Sequence, residues 1–214
     1  MRLINVETWG LESFADDNAP PYAILSHTWA SDEQELSFQD MGRKSIRKPE
    51  YGIQKLRGCC NQAQKDNLKY IWIDTCCINK ENPAELNEAI NSMFQWYQKA
   101  SVCYTLLSDV QPGDDPYDTG SKFHSSRWFQ RGWTLQELLA PKDLRFYNRE
   151  WIWIGSKEDM PDEIEAITGI SRQYLLGWQD FRQASVAQRM SWMAKRQTSK
   201  KEDKAYCLLG CNEK

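Results

Sequence analysis

The chain has 214 residues, enough for one large domain or a domain with an appendage. It carries 27 Lys and Arg against 30 Asp and Glu, a net charge of -3, with no plainly basic stretch. That balance speaks against an electrostatic nucleic-acid binder, and no apolar run approaches the ~18 residues of a membrane span.

Ten Trp predict an aromatic core, a stacking surface, or both. The seven Cys (59, 60, 76, 77, 103, 207 and 211) are odd in number and include two adjacent pairs. Residues 1–10 form no apolar leader, so reduced, mostly buried thiols in a cytoplasmic protein are expected.

In chain order, residues 1–20 read as a short strand and a polar loop closed by Pro20-Pro21. Residues 22–26 (YAILS) are a compact apolar run after a proline break, hence a buried strand. His27, Thr28 and Trp29 follow its C-terminal end, where open α/β sheets bind ligands. Residues 30–49 read as a long polar loop anchored by Phe38. Ile53, Leu56, Cys60 and Ala63 recur at spacings of three and four, an amphipathic helix over 51–67.

Residues 70–74 (YIWID) are a second buried strand ending in an acid, and 75–81 a loop. Pro83 suits the first turn of a helix carrying Leu86, Ile90, Met93 and Tyr97. A third strand is expected at 101–107 and a Pro-, Gly- and Asp-rich loop at 109–122. Residues 131–141 (RGWTLQELLAP) read as a short apolar helix, entered at Gly132 and stopped by Pro141. Strands follow at 144–147 and 151–154, then helices near 159–167, 171–177, 184–196 and 202–210. The alternation over 22–147 predicts an α/β fold with a parallel sheet flanked by helices, and 148–214 a mainly helical extension. The apolar run at 205–209, so close to residue 214, predicts one module of a longer protein.

The chemistry is narrowed by what is missing. Adjacent Cys76 and Cys77 lack the spacing of a zinc site, and no Cys-x-x-Cys occurs, so no metal is expected. There is no Gly-x-Gly-x-x-Gly and no Walker loop. Cys76 or Cys77 with His27 and Asp74 would make a Cys–His nucleophile set, but no local nucleophile signature accompanies them. His124 lies in a polar approach and reads as a surface residue. Glu137 stands out. It sits among leucines, where a carboxylate without a partner is expensive. It also follows Trp133 by one helical turn. Two readings stand side by side: a structural carboxylate paired with Arg127 or Arg131, or a working group beside an aromatic face able to hold a planar cationic ring.

Several motifs together carry a family resemblance. YAILSHTW (22–29), WIDTCCI (72–78), EAINSM (88–93), SRWFQRGWTLQELLAP (126–141), SVAQRMSW (185–192) and EDKAYCLLG (202–210) resemble the heterokaryon-incompatibility (HET) domain of filamentous fungi, in the expected order. Ala30 stands where that family usually has Gly. The resemblance implies a role in programmed cell death when incompatible cells fuse. It also implies nucleotide-binding oligomerisation and repeat domains further along the same chain.

The HET family is in turn remotely similar to TIR domains, flavodoxin-like modules many of which hydrolyse NAD at the nicotinamide–ribose bond. Their catalytic Glu lies in a Trp-Cys-x-x-Glu-Leu helix; Trp133-Thr134-Leu135-Gln136-Glu137-Leu138 matches, with Thr134 for the Cys. By that resemblance Glu137 would be catalytic. Ser26, His27, Trp29, Asp74, Arg131 and Trp133 would bind NAD as substrate, without a metal. Residues 75–82 would stand where TIR domains have their assembly loop, and self-association would activate the enzyme. The alternative is a non-enzymatic, self-associating adaptor, because the fold alone does not decide function.

Overall fold

The computed structural model describes residues 1–42, 50–198 and 203–209. Its strands are β1 Arg2–Asn5, β2 Leu11–Ser13, β3 Tyr22–His27, β4 Tyr70–Trp72, β5 Val102–Leu107, β6 Leu144–Asn148 and β7 Trp153–Ser156. They hydrogen-bond in the order β2-β1-β4-β3-β5-β6-β7. β3 and β4 run parallel, with Tyr22 opposite Tyr70 and Ile24 opposite Trp72. β3 and β5 are buried at every position, as expected of unbroken apolar runs covered on both faces.

The α/β fold with flanking helices is therefore present, but the sheet is mixed. β1 runs antiparallel to β2 and β4, and β7 antiparallel to β6. β2 falls in what reads as a polar loop, because Leu-Glu-Ser is too short and too exposed to display a period of two. Its place is set by pairing with β1, and by Glu12, which accepts from Tyr70 Oη at 2.8 Å.

The chain divides into two compact units. The first holds Met1–Leu25, Trp29–Met93 and Ala100–Tyr104. Its helices are α1 Phe38–Met41, α2 Glu50–Lys65, α3 Asp74–Cys77 and most of α4 Pro83–Lys99. α2 buries Leu56, Cys59, Cys60 and Ala63 along one stripe, the arrangement its spacing predicts. Gly52 is required on that helix, since a Cβ there would meet Gln34 O at 2.6 Å and Leu36 N at 3.1 Å. α4 starts at Pro83, with the Asn82 side chain accepting from Ala84 N at 3.1 Å. Two loop expectations need correction. Within 30–49, Ser37 and Asp40 form a capping box that nucleates α1; residues 43–49 lie outside the described residues. The segment after β4 begins with the turn α3 rather than as open loop.

The second unit holds Ser26–Thr28, Phe94–Lys99 and Thr105–Lys214. Its helices are α5 Arg127–Gln130, α6 Thr134–Leu139, α7 Pro161–Thr168, α8 Arg172–Leu175, α9 Val186–Ala194 and α10 Asp203–Leu209. Phe123, Trp128, Phe129 and Phe146 pack edge to face, with ring centroids 5.0–5.7 Å apart.

Candidate functional site

The site is built around α6, whose six residues are all buried. The expected helix over 131–141 is shorter than its sequence suggests. Arg131 is extended (φ -80°, ψ 138°), and residues 131–133 separate α5 from α6. The break is a tertiary matter. Gly132 N–H donates to Gln197 O at 2.8 Å, and Gln197 N–H donates to Gln130 O at 2.6 Å. A Cβ on Gly132 would meet Thr198 Cγ2 at 2.4 Å and Met193 Cε at 2.7 Å, so this glycine serves a close approach.

Both ends of the two helices are satisfied. At α5, Asp109 accepts from Arg127 N–H and from Ser126 Oγ, each at 2.8 Å, and Ser126 Oγ accepts from Trp128 N–H at 3.3 Å. At the far end of α6, the buried Lys157 ammonium donates to Leu138 O at 3.2 Å and Pro141 O at 2.6 Å. A cation there meets otherwise orphaned carbonyls and the negative end of the helix.

Glu137 is 7% exposed. One carboxylate oxygen, Oε2, accepts from the hydroxyl of Ser26, near the end of β3. Ser26 Oγ in turn accepts from the indole N–H of Trp128 at 2.7 Å. Ser26 and Trp128 are fully buried. The structure thus brings together Glu137 and Ser26, 111 residues apart. It adds Trp128, which no periodicity or spacing singles out.

The other expected residues of this unit are placed as follows. His27 is buried at the end of β3. Glu137 N–H donates to Trp133 O at 3.5 Å, so the two residues stand one turn apart as their spacing predicts. The Trp133 indole N–H is turned to α10, donating to Asp203 Oδ2 at 3.2 Å. Arg131 is tied by its backbone, its carbonyl accepting from Arg196 Nη1 at 3.0 Å. Arg127 pairs with Asp109 (3.6 Å). His124 Nε2 lies 3.0 Å from Pro116 O and braces the 109–122 loop.

In the first unit, Trp29 is 42% exposed, and its indole N–H donates to Asp74 Oδ2 at 2.8 Å. Lys80 Nζ lies 3.8 Å from the Trp29 ring centroid and 4.0 Å from Asp74 Oδ2. Asp74 thus holds Trp29 by its edge, while a cation covers a face of the ring. The backbone beyond is pinned as well: Ala30 N–H donates to Glu35 Oε1 at 2.8 Å, and Glu35 pairs with buried Lys55. Ala30 does not adopt a positive φ, so alanine for the family's glycine strains nothing.

The thiols are poor nucleophiles. Burial pushes Cys76 up to about 12, and raises Cys77 well above its ordinary value. Burial thus disfavours the thiolate that a Cys nucleophile uses. Among the described residues no group of three or more His, Cys, Asp or Glu is placed to hold a metal ion. No described helix is long and apolar enough to cross a membrane.

Fold and site define an α/β module whose buried acid is held by side chains from a central strand and a neighbouring helix. The family model "Heterokaryon incompatibility protein (HET)" matches residues 22–120. Vegetative incompatibility protein HET-E-1 of Podospora anserina is 46% identical over 198 residues, covering 89% of this chain. The chain is a HET domain. It spans 14% of the length of that relative. No solved structure matches it.

Proposed function

We propose that this HET domain hydrolyses NAD at the nicotinamide–ribose bond, with Glu137 as the catalytic carboxylate. The observation that carries the reading is the buried Glu137 carboxylate, hydrogen-bonded by Ser26 at the end of a central strand. Cleavage of that bond passes through an oxocarbenium-like transition state, as in glycoside hydrolysis. Nicotinamide is already cationic and leaves without a proton, so a single carboxylate suffices. Glu137 would hold the ribose hydroxyls and stabilise the developing positive charge. His27 and Ser26 would hydrogen-bond ribose or phosphate, and Arg131 would neutralise a phosphate. Trp133 offers an indole face for a base. Assembly through self-association, with oligomerisation and repeat domains in the same protein, is the proposed mode of activation.

The test is NAD consumption by the purified domain as a forced oligomer, beside Glu137→Ala. The parental oligomer should consume NAD, and the variant should lose ~2–4 kcal/mol of barrier lowering, a fall of about 30- to 1000-fold. NAD left intact by the oligomer, or consumed at the parental rate by folded Glu137→Ala, defeats the reading. A second reading, a non-enzymatic adaptor, is favoured by one observation. Trp178, Val186 and Met190 are large apolar side chains exposed at 71%, 62% and 58%. Under that reading Glu137→Ala leaves cell killing intact, while charged substitutions at these three positions abolish it.

A further inference from the structure

The hydrogen bonds behind Glu137 have a direction, and it is set by groups that can only donate. An indole N–H has no acceptor capacity. Trp128 Nε1 therefore gives its hydrogen to Ser26 Oγ at 2.7 Å. The hydroxyl proton of Ser26 is left to donate, and it does so to Glu137 Oε2. Without the indole, the hydroxyl would be free to rotate, and Glu137 would lose an oriented donor.

The same logic repeats one layer further back. Arg196, 3% exposed, is likewise donor-only. Its Nη1 donates to Thr134 Oγ1 at 2.8 Å and to Arg131 O at 3.0 Å. The Thr134 hydroxyl lies 2.6 Å from Trp128 O and 2.7 Å from Arg131 O. Both carbonyls lie within reach of the single Thr134 proton, and Trp128 O is the nearer. The bond to Trp128 O fixes the backbone from which the indole projects. Phe129 and Phe146 hold the ring edge to face, at centroid distances of 5.0 and 5.7 Å.

We propose that Trp128, with Thr134 and Arg196 behind it, forms a polarised hydrogen-bond relay that positions the Glu137 carboxylate through Ser26. These are positioning residues, since none is assigned a contact with substrate. The inference rests on the reading of Glu137 as the catalytic carboxylate. It also gives meaning to Thr134. A hydroxyl there makes short bonds on both sides, which a thiol makes only at longer range.

The test uses Trp128→Phe, Thr134→Val and Thr134→Ser in the forced oligomer, with folding checked by circular dichroism. Two quantities are read: kcat and KM for NAD, and the carboxyl 13C resonance of Glu137, assigned by its loss in Glu137→Gln. Trp128→Phe should lower kcat roughly tenfold, the worth of one buried hydrogen bond, with KM within about twofold. Thr134→Val should lower kcat about threefold and shift the resonance, and Thr134→Ser should restore both.

If Trp128→Phe does not fold, the Thr134 pair decides alone. Folded variants with parental kcat overturn the relay, as does loss of activity in Thr134→Ser equal to that in Thr134→Val. If the parental oligomer leaves NAD intact, the glycohydrolase reading fails instead. The relay is then judged by the resonance: a shift in Thr134→Val that Thr134→Ser reverses sustains it, and an unmoved resonance overturns it.

Discussion

Two glutamates are buried to nearly the same depth, and they are held in different ways. Glu35 is 6% exposed and Glu137 is 7% exposed. Glu35 is neutralised by the ammonium of Lys55 and also accepts a backbone N–H from Ala30. Glu137 accepts from a hydroxyl that an indole holds in place. The first arrangement fixes a segment: it pins residues 30–36 to α2, where Gly52 admits the chain. The second orients an acid by a neutral donor from a central strand. A buried ion pair is costly to break, because removing one partner leaves a desolvated charge behind. A neutral donor can be removed at the cost of one hydrogen bond. The contrast is between a carboxylate bonded by a buried ammonium and one bonded by a hydroxyl that an indole orients.

Lys55→Met should therefore have the largest effect on stability. It removes the ammonium paired with the buried Glu35 carboxylate and should cost about 3–5 kcal/mol, read as a lowered midpoint in urea. Adding Glu35→Gln should recover most of that loss, because the uncompensated charge is gone. Recovery of nothing would show that packing, not charge, is at stake.

Ser26→Ala should cost less, about 1–3 kcal/mol, because it leaves the Trp128 N–H and Glu137 short of one hydrogen bond each. If the proposed NAD hydrolysis holds, NAD turnover should also fall by more than its stability loss accounts for. Equal falls in Lys55→Met and Ser26→Ala, both in stability and in turnover, would erase the distinction between the two glutamates.

The smallest effect concerns a partly exposed pair in the first unit. Glu85 is hydrogen-bonded by the Arg2 guanidinium, which, with Asn79 N–H, holds its carboxyl below the ordinary 4.5. A depressed carboxylate binds its proton more weakly in the fold than in the unfolded chain. Its contribution is complete above pH 4.5 and disappears as pH falls through the lower folded value. Arg2→Gln should lower stability at pH 7 by about 1 kcal/mol or less and leave it unchanged near pH 2. Denaturation midpoints at the two pH values check this, and an equal loss at both would refute it.

Much of the architecture was readable from local pattern. β3 and β5 are unbroken apolar runs, and α2 and α4 carry clear spacings of three and four. Short elements were not readable, because three or four residues display no period. β2 exists through its pairing with β1, and α3 lies where a loop is expected. The break between α5 and α6 was hidden for another reason. Residues 131–141 have good local helix character, but Gly132 N–H and Gln130 O, on either side of Arg131, bond instead to Gln197.

The candidate site divides along the same line. Glu137 and Ser26 were each visible alone, one as an acid among leucines and one as the end of a buried strand. Residue types and spacing alone determined that such an acid exists and that it sits one turn from Trp133. The family resemblance rests on the same strings. Tertiary structure alone decided its partners. A side chain 111 residues away donates to it, and an indole unmarked by any spacing sets that donor's direction. Periodicity reports which face of an element is buried, whereas a hydrogen bond between distant segments depends on the register and closure of the whole unit.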